Sequence, residues 1–251
     1  MKSKKIKKYF TKYVLEFFVI VMGITFSFFV QNIRNDIQID TKRELIIDNL
    51  LIELESNQAY IDKTKRDFKR DMEYVNKLLL DSLTTQEIIN YPKNLSPLNP
   101  FFDVSKFRPS RSIYNSIVND GSFNIIEPSS LKIIIDEIYS LNHNTIISII
   151  DSEQLIADKA DEFFVNNYTS TYVKNFWSNN DEKLISSVFN IMQKDSKFKA
   201  LMVQKISFME VKVAVLDIYS TKRDSLINLI KIKITEFDNQ KGPWRNNVLC
   251  S

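Results

Sequence analysis

The chain has 251 residues, of which 26% are charged and 44% hydrophobic, with a net charge of +3, as in a folded protein with a buried core. Its three glycines, one histidine and one cysteine exclude a glycine-rich phosphate loop, a structural zinc site and an internal disulfide. Only His143 could act as the base of a Ser-His or Cys-His pair. We therefore expect no catalytic residue, cofactor or metal, and a protein that is not an enzyme.

The N-terminal segment, residues 1–12, is strongly basic. It contains six lysines and no acid, and the rest of the chain is slightly acidic. A basic charge confined to one short tail does not indicate a nucleic-acid partner. Six lysines next to an apolar stretch are instead typical of the cytoplasmic side of a membrane anchor.

Residues 13–32 predict a transmembrane helix. No charged residue lies between Glu16 and Arg34, and the eighteen residues from Tyr13 to Val30 would extend about 27 Å as a helix, close to the bilayer core of about 30 Å. A buried core helix would show a polar face, and a cleaved signal peptide would end in small residues rather than phenylalanines. The lysines predict that the N-terminus lies in the cytoplasm and the rest of the chain outside it, which in a Gram-negative cell is the periplasm.

Two residues of this helix are candidates for a function in the membrane. A carboxylate within a bilayer is costly, so Glu16 indicates a proton relay or a partner helix, or else interfacial pairing with Lys12 one turn earlier. Gly23 and Ser27 have the spacing of small residues that allows close helix approach.

The exported domain, residues 33–241, is expected to be all-α, a long-helix bundle with coiled-coil-like packing. A first long helix is predicted over 33–90, and the remaining helices over 110–241. Two series of positions alternate spacings of four and three residues, each with two polar interruptions, namely Ile47, Leu51, Leu54, Gln58, Ile61, Lys65, Phe68, Met72, Val75 and Leu79, and Met202, Ile206, Met209, Val213, Leu216, Ser220, Arg223, Ile227, Ile230, Ile234 and Phe237. The two series could pair antiparallel within one chain, or each could pair with another copy.

Residues 91–109 contain four of the six prolines and predict the apex of the molecule, far from the membrane. A short helix is expected from Ser110 or Ser112 to Val118, ended by Gly121 in a positive-φ conformation. Arg108 and Arg111 at the start of this helix oppose its dipole and need partners. Asp103 and Asp120, or a bound anion, are the candidates. Gly242-Pro243 then begins a C-terminal tail, residues 242–251.

Two blocks of the chain resemble an uncharacterised family of bacterial membrane-anchored helical proteins with a domain of unknown function. The first block has the start and exit of the apolar helix, and the second has a Pro-x-Arg-Ser-x-Tyr stretch followed by a Gly turn and a Leu and a Tyr in the next helix. The matching residues are Lys12, Tyr13, Leu15, Glu16, Gly23, Asn32, Pro109, Arg111, Ser112, Tyr114, Gly121, Leu131 and Tyr139. Asp120 stands where the family has Ser, and Ile33 where it often has Trp. The resemblance implies a single-pass, inner-membrane helical protein and supplies no activity.

These observations predict a non-enzymatic membrane protein whose periplasmic helical bundle mediates protein-protein interaction or ligand sensing. Its expected partners are the lipid bilayer and either a membrane protein or further copies of itself. The candidate ligand or partner residues are Arg108, Pro109, Arg111, Ser112, Tyr114 and Gly121. The alternative is an accessory subunit of an ion-driven inner-membrane complex that uses Glu16. A hydrolase that uses two carboxylates is not indicated, because the sequence has no paired-acid motif apart from acids on solvated helix faces.

Overall fold

A computed structural model of the chain describes residues 2–92, 96–177 and 182–240, and these residues form helices, turns and loops without a strand. The predicted tail 242–251 and Cys250 lie outside the described residues. The first helix, α1, is Lys2–Ser56. Every side chain described in α1 up to Lys42 is exposed, and the first buried ones are Ile46 and Ile47. One helix thus carries both an unburied apolar stretch and a face of the core. It is long and apolar enough to cross a membrane.

The predicted helix 33–90 is divided in the structure. Helix α2, Gln58–Leu79, follows α1 after a single residue, Asn57, which keeps helical φ and ψ of −75° and −13°. It ends because Asp81 adopts φ of +53°, while the N–H of Ser82 donates to Lys77 O at 2.9 Å. These are the features of a Schellman C-cap. A separate helix, α3 (Thr85–Ile89), begins with a capping box between Thr84 and Glu87.

The proline-bounded segment, residues 91–109, turns back along α2. It includes α4, Asn99–Phe102, and then runs extended to the next helix, α5, Ser112–Asn119. Phe101 packs 5.6 Å from the Tyr74 ring near the end of α2, whereas the Arg108 N–H donates to Tyr60 Oη at 2.6 Å near its beginning. From Phe101 to Arg108 the segment therefore runs antiparallel to α2, beside the part of the helix from Tyr74 to Tyr60, which is about 21 Å long.

The next helices follow one another almost without a break. Helix α6, Ser129–Asp136, leads through a π-helix, Glu137–Asn142, into α7, His143–Trp177. Pro128 holds the N-cap position of α6, and no side chain caps this helix. Helix α8 is Glu182–Lys194, and α9 is Ser196–Gln240. Asp195 begins α9 by accepting the N–H groups of Lys197 and Phe198 at 2.8 and 3.0 Å.

Helix α9 packs against α1, α2 and α7. It runs antiparallel to α1 and α2, because Lys231 pairs with Glu55 at 2.8 Å and Asp217 pairs with Lys65 further along. Members of both predicted series, among them Ile47, Ile61, Leu216 and Ile230, lie in the same hydrophobic core, whereas Gln58 is exposed. The most deeply buried positions of α9 also alternate spacings of four and three, and three of them are cationic: Phe198, Met202, Lys205, Met209, Lys212, Leu216, Tyr219, Arg223, Leu226 and Ile230.

Candidate functional site

The residues from Phe107 to Ile126, here called the Arg111 corner, pack against the part of α1 that follows its apolar stretch. Arg43 Nε donates to Ile125 O at 2.7 Å, and Lys42 lies 3.7 Å from Asp120. Gly121 adopts φ of +74°, the left-handed conformation expected from the sequence. A Cβ at Gly121 would meet no atom within 4 Å, so the backbone conformation alone favours glycine there. The Arg111 corner therefore lies at the end of the domain nearest the apolar helix.

Glu53 of α1 anchors the start of the short helix α5. Its side chain is 4% exposed, and Oε2 accepts the Ile113 N–H at 2.7 Å and the Ser112 hydroxyl at 3.0 Å. A carboxylate at a helix N-terminus compensates the positive end of the helix dipole. Glu53 thus supplies, from α1, a negative charge at the start of α5.

The two arginines of the corner have different environments. Arg108 is exposed, whereas Arg111 is half-buried with its guanidinium 5.6 Å from the centre of the Tyr114 ring, in cation–π range. Neither forms an ion pair with a described carboxylate. Asp120 lies near Lys42 instead, and Asp103 accepts the Val104 N–H at 2.8 Å. The buried Nε of Arg111 has no hydrogen-bond partner.

Tyr114 and Tyr139 connect the corner to the π-helix. Their rings stack at 4.6 Å with an angle of 5°, and the Tyr114 hydroxyl donates to Asp136 Oδ1 at 2.9 Å. Burial, helped by Asp136, raises the pKa of Tyr114 to about 12. Tyr139 is 1% exposed and its hydroxyl has no hydrogen-bond partner. Burial, and then the negative charge of Glu53, raises the pKa of Tyr139, so this hydroxyl stays a neutral donor.

His143 lies where the π-helix meets α7. It is 8% exposed, its ring centre is 5.7 Å from that of Phe107, and its Nδ1 has no partner. Burial, and then the charge of Arg111, lowers the pKa of His143 to about 4. The imidazole is therefore neutral at pH 7. π-helical turns occur frequently at functional sites, and this one brings Tyr139 and His143 to the same side of the corner.

Unsatisfied polar atoms are concentrated in this region. Six of the eight buried side-chain atoms without a partner, among the described residues, belong to the corner or to the helices packed on it: Arg111 Nε, Ser122 Oγ, Tyr139 Oη, Asn142 Nδ2, His143 Nδ1 and Arg223 Nη1. Arg223 is 1% exposed, and its other nitrogens bind Asp224 Oδ1 at 2.7 and 3.1 Å. Burial raises the pKa of Tyr219 to about 12 against the charges of both Arg223 and Arg111. Most of these groups are donors, so they are suited to an acceptor such as an anionic group.

A second polar cluster is buried between α7 and α9. Glu153 is 1% exposed and forms an ion pair with Lys212, with Lys205 at 4.0 Å from its other oxygen. Lys205 Nζ also donates to the carbonyls of Phe101 and Asp103 at 3.2 and 2.8 Å. Burial lowers the pKa of Lys205 to about 8, although Glu153 opposes this shift. Because the polar groups of this cluster are paired, it fixes the α4 segment to α9 and is a structural element.

The remaining predicted residues lie in two places, the Arg111 corner and the apolar part of α1. Pro109 is buried beside Ser110, and Ser112 is exposed apart from its bond to Glu53. Glu16 and Gly23 lie on the exposed apolar part of α1, and the Ser27 hydroxyl donates to Gly23 O at 2.8 Å. The Lys12 side chain, the proposed partner of Glu16, lies outside the described side chains.

Within the described parts of the chain, no group of three or more His, Cys, Asp or Glu residues could hold a metal ion. Comparison of the chain with protein-family models, curated proteins and solved structures finds no match. The site is therefore interpreted from its geometry alone.

Proposed function

We propose that this chain is a non-enzymatic, single-pass inner-membrane protein whose periplasmic helical bundle binds a partner protein or a ligand. The observation that carries the proposal is the continuity of α1. Its large apolar side chains from Leu15 to Val30 are 40–70% exposed, and about six turns beyond Val30 the side chain of Glu53 anchors the Arg111 corner. Apolar surface of this extent needs lipid or a partner to cover it.

The binding function is proposed for the Arg111 corner. Arg111, Tyr139 and His143 keep unpaired polar atoms there, while the neighbouring Arg108 is exposed to solvent. Buried polar groups are usually paired, so a cluster of unpaired donors favours recognition of an acceptor group. Since Glu53 belongs to the same helix as the apolar stretch, binding at the corner would act on the anchor through one rigid element.

The proposed topology can be tested with the native cysteine. In the proposed orientation, Cys250 of the full-length protein reacts with a membrane-impermeant maleimide added from the periplasmic side of intact inner membranes. Labelling only after the membrane is broken would contradict the orientation. Extraction of the protein by carbonate without detergent would contradict the anchor.

The binding function is tested by photo-crosslinking in intact cells. A photoreactive amino acid at position 108 is expected to give a discrete adduct, and the same amino acid at position 155, where Leu155 is 62% exposed on α7, is not. The Arg111→Met variant should weaken the adduct at position 108. Equal adducts at both positions, or none, would contradict binding at the corner.

The alternative, a subunit of an ion-driven complex, rests on Glu16. Glu16→Gln removes an ionisable group from the exposed apolar helix and would abolish the activity of such a complex. Under the leading proposal, the same substitution leaves the adduct at position 108 unchanged.

A further inference from the structure

The outer face of α9 carries a second repeat that the fold does not bury. Positions spaced alternately by four and three residues are all exposed, and none is charged: Ser207, Val211, Ala214, Ile218, Thr221, Ser225, Asn228, Ile232 and Thr235. Val211, Ile218 and Ile232 are 50–56% exposed. On a helix with many charges elsewhere, an uncharged repeat of this spacing is typical of a seam between two helices. We call it the outer seam.

The charges beside the outer seam are placed as in a parallel pair of identical helices, which favours a second copy of this chain as the partner. With Val211, Ile218, Ser225 and Ile232 as the a positions, Asp217 and Lys231 occupy g positions, and Lys222 and Glu236 occupy e positions. In a parallel pair of identical helices, a g residue faces the e residue five positions later on the other helix. Asp217 would then face Lys222 of a second copy, and Lys231 would face Glu236. Both contacts join opposite charges, in addition to the ion pairs that Asp217, Lys222 and Lys231 form with Lys65, Glu137 and Glu55 of their own chain.

The anchor selects the same orientation. Helix α9 runs antiparallel to α1, with Lys231 beside Glu55 and Asp81 beside Lys199 at the other end. Two copies in one membrane have their α1 helices in the same direction, so their α9 helices are also parallel. An antiparallel seam would place the two anchors at opposite ends of the pair. This step rests on the proposed membrane topology.

We infer that two copies of this chain associate in the membrane through a parallel outer seam of α9. The β-branched residues at three of the four a positions, Val211, Ile218 and Ile232, favour two-stranded pairing, and the small residues at d positions allow close approach. The contact is modest in size, and confinement of both copies to one membrane raises their effective concentration. The buried series of α9 stays inside each chain, so pairing requires no unfolding.

Cysteine crosslinking of the full-length protein in native membranes tests the inference. In a Cys250→Ser background, Val211→Cys, Ile218→Cys and Ile232→Cys are each expected to form a same-residue disulfide dimer on mild oxidation. Leu155→Cys, exposed on α7, is the matched control and should remain monomeric. Absence of dimer at all three seam positions, with maleimide reactivity equal to that of the control, would overturn the inference.

Charge variants keep the test independent of disulfide geometry. In the Val211→Cys protein, Ile218→Glu places two like charges in the seam and should reduce dimer yield about tenfold, the equivalent of about 1.4 kcal/mol. Lys231→Glu should also reduce the yield, and adding Glu236→Lys should restore it. Loss without restoration would overturn the parallel register. Failure of Cys250 labelling from the periplasmic side contradicts the proposed topology alone, because crosslinking in the membrane is scored separately.

Discussion

Asn57 holds Ser110 through a pair of hydrogen bonds across the junction of α1 and α2. The amide nitrogen donates to Ser110 O at 2.8 Å, and the amide oxygen accepts the Ser110 N–H at 2.8 Å. The side chain thus pairs with an extended backbone as a neighbouring strand would. It fixes the Arg111 corner to the helix that also carries the apolar stretch.

Asn57→Ala is therefore expected to destabilise the folded domain by about 2 kcal/mol, since two hydrogen bonds are lost at about 1 kcal/mol each. Urea unfolding of the detergent-solubilised protein, followed by the near-UV circular dichroism of its tyrosines, measures the change. Asn76→Ala, at an exposed position of α2, is the control and should cost less than about 0.5 kcal/mol. Equal effects of the two substitutions would refute the role of the Asn57 pair.

Glu53→Ala removes the carboxylate that receives the first N–H groups of α5. Hydrogen bonds to charged groups contribute about 1.5–3 kcal/mol, so we expect a loss of about 2–3 kcal/mol in the free energy of unfolding. Glu55→Ala is a matched control, because Glu55 pairs with Lys231 at the surface and such pairs contribute little. Glu53→Gln, which keeps one acceptor oxygen, should lie between them in the same urea experiment. A Glu53→Ala protein as stable as Glu55→Ala would exclude Glu53 as the anchor of α5.

Much of the all-helical architecture could be predicted from spacing alone. The apolar stretch before Arg34, the two series with spacings of four and three residues, and the turn at Gly121 are local patterns. Each predicts a helix or a turn where the structure has one. The break at Asp81 could not be predicted in this way. A non-glycine residue with positive φ is uncommon, and no glycine or proline marks the end of α2.

The candidate site is harder to predict from the sequence, because its residues come from segments that are far apart in the chain. Arg111 was identified through its unusual local sequence, but Glu53, which holds the same turn, looks like one more acid on a helix. Lys205 and Lys212 would have been assigned to solvent because lysine is rarely fully buried. A signal did exist: both continue the spacing of four and three residues from Phe198 to Ile230. The full series, with its polar members included, predicts the buried face of α9.

His143 gives a direct probe of the corner because the chain has one histidine. Its imidazole signals in NMR should titrate near pH 4, well below the usual value of 6.5. Arg111→Met removes a neighbouring positive charge and should raise this pKa, while burial keeps it below the usual value. Arg108→Met, at an exposed position of the same segment, should leave it unchanged. An imidazole that titrates near 6.5 in the unmodified protein would contradict the burial of His143.

His143 also makes stability depend on pH on the acid side. Its pKa is lower in the folded protein than in the unfolded chain, so the unfolded chain binds the proton more tightly. The contribution of His143 is full above about pH 6.5 and is lost as the pH falls toward about 4. His143→Gln should reduce this part of the acid dependence in urea unfolding at pH 7, 6 and 5. An unchanged slope in the variant would exclude His143 as its source.

Lys205 should make the stability of the protein depend on pH on the alkaline side, because its pKa is lowered by burial. Its pKa is about 8 in the folded protein and 10.5 in the unfolded chain, so between these values only the unfolded chain keeps the proton. Stability should therefore rise from pH 8 to pH 10, by on the order of 2 kcal/mol. Glu153 and Lys212 face Lys205 from α7 and α9, and Asp103 and Asp71 add negative charge from the packed segments. Above pH 10 the buried tyrosines oppose the rise, because their pKa values are raised.

Lys205→Met isolates this effect. The variant leaves Glu153 paired with Lys212 and removes the one group of the cluster expected to titrate near pH 8. Its stability should be nearly constant from pH 8 to pH 10, although lower overall because two carbonyl oxygens lose their donor. Lys197→Met, at an exposed position of the same helix, should keep the rise. A rise that persists in Lys205→Met would assign the alkaline dependence to another group, and the buried lysine would then be charged throughout this range.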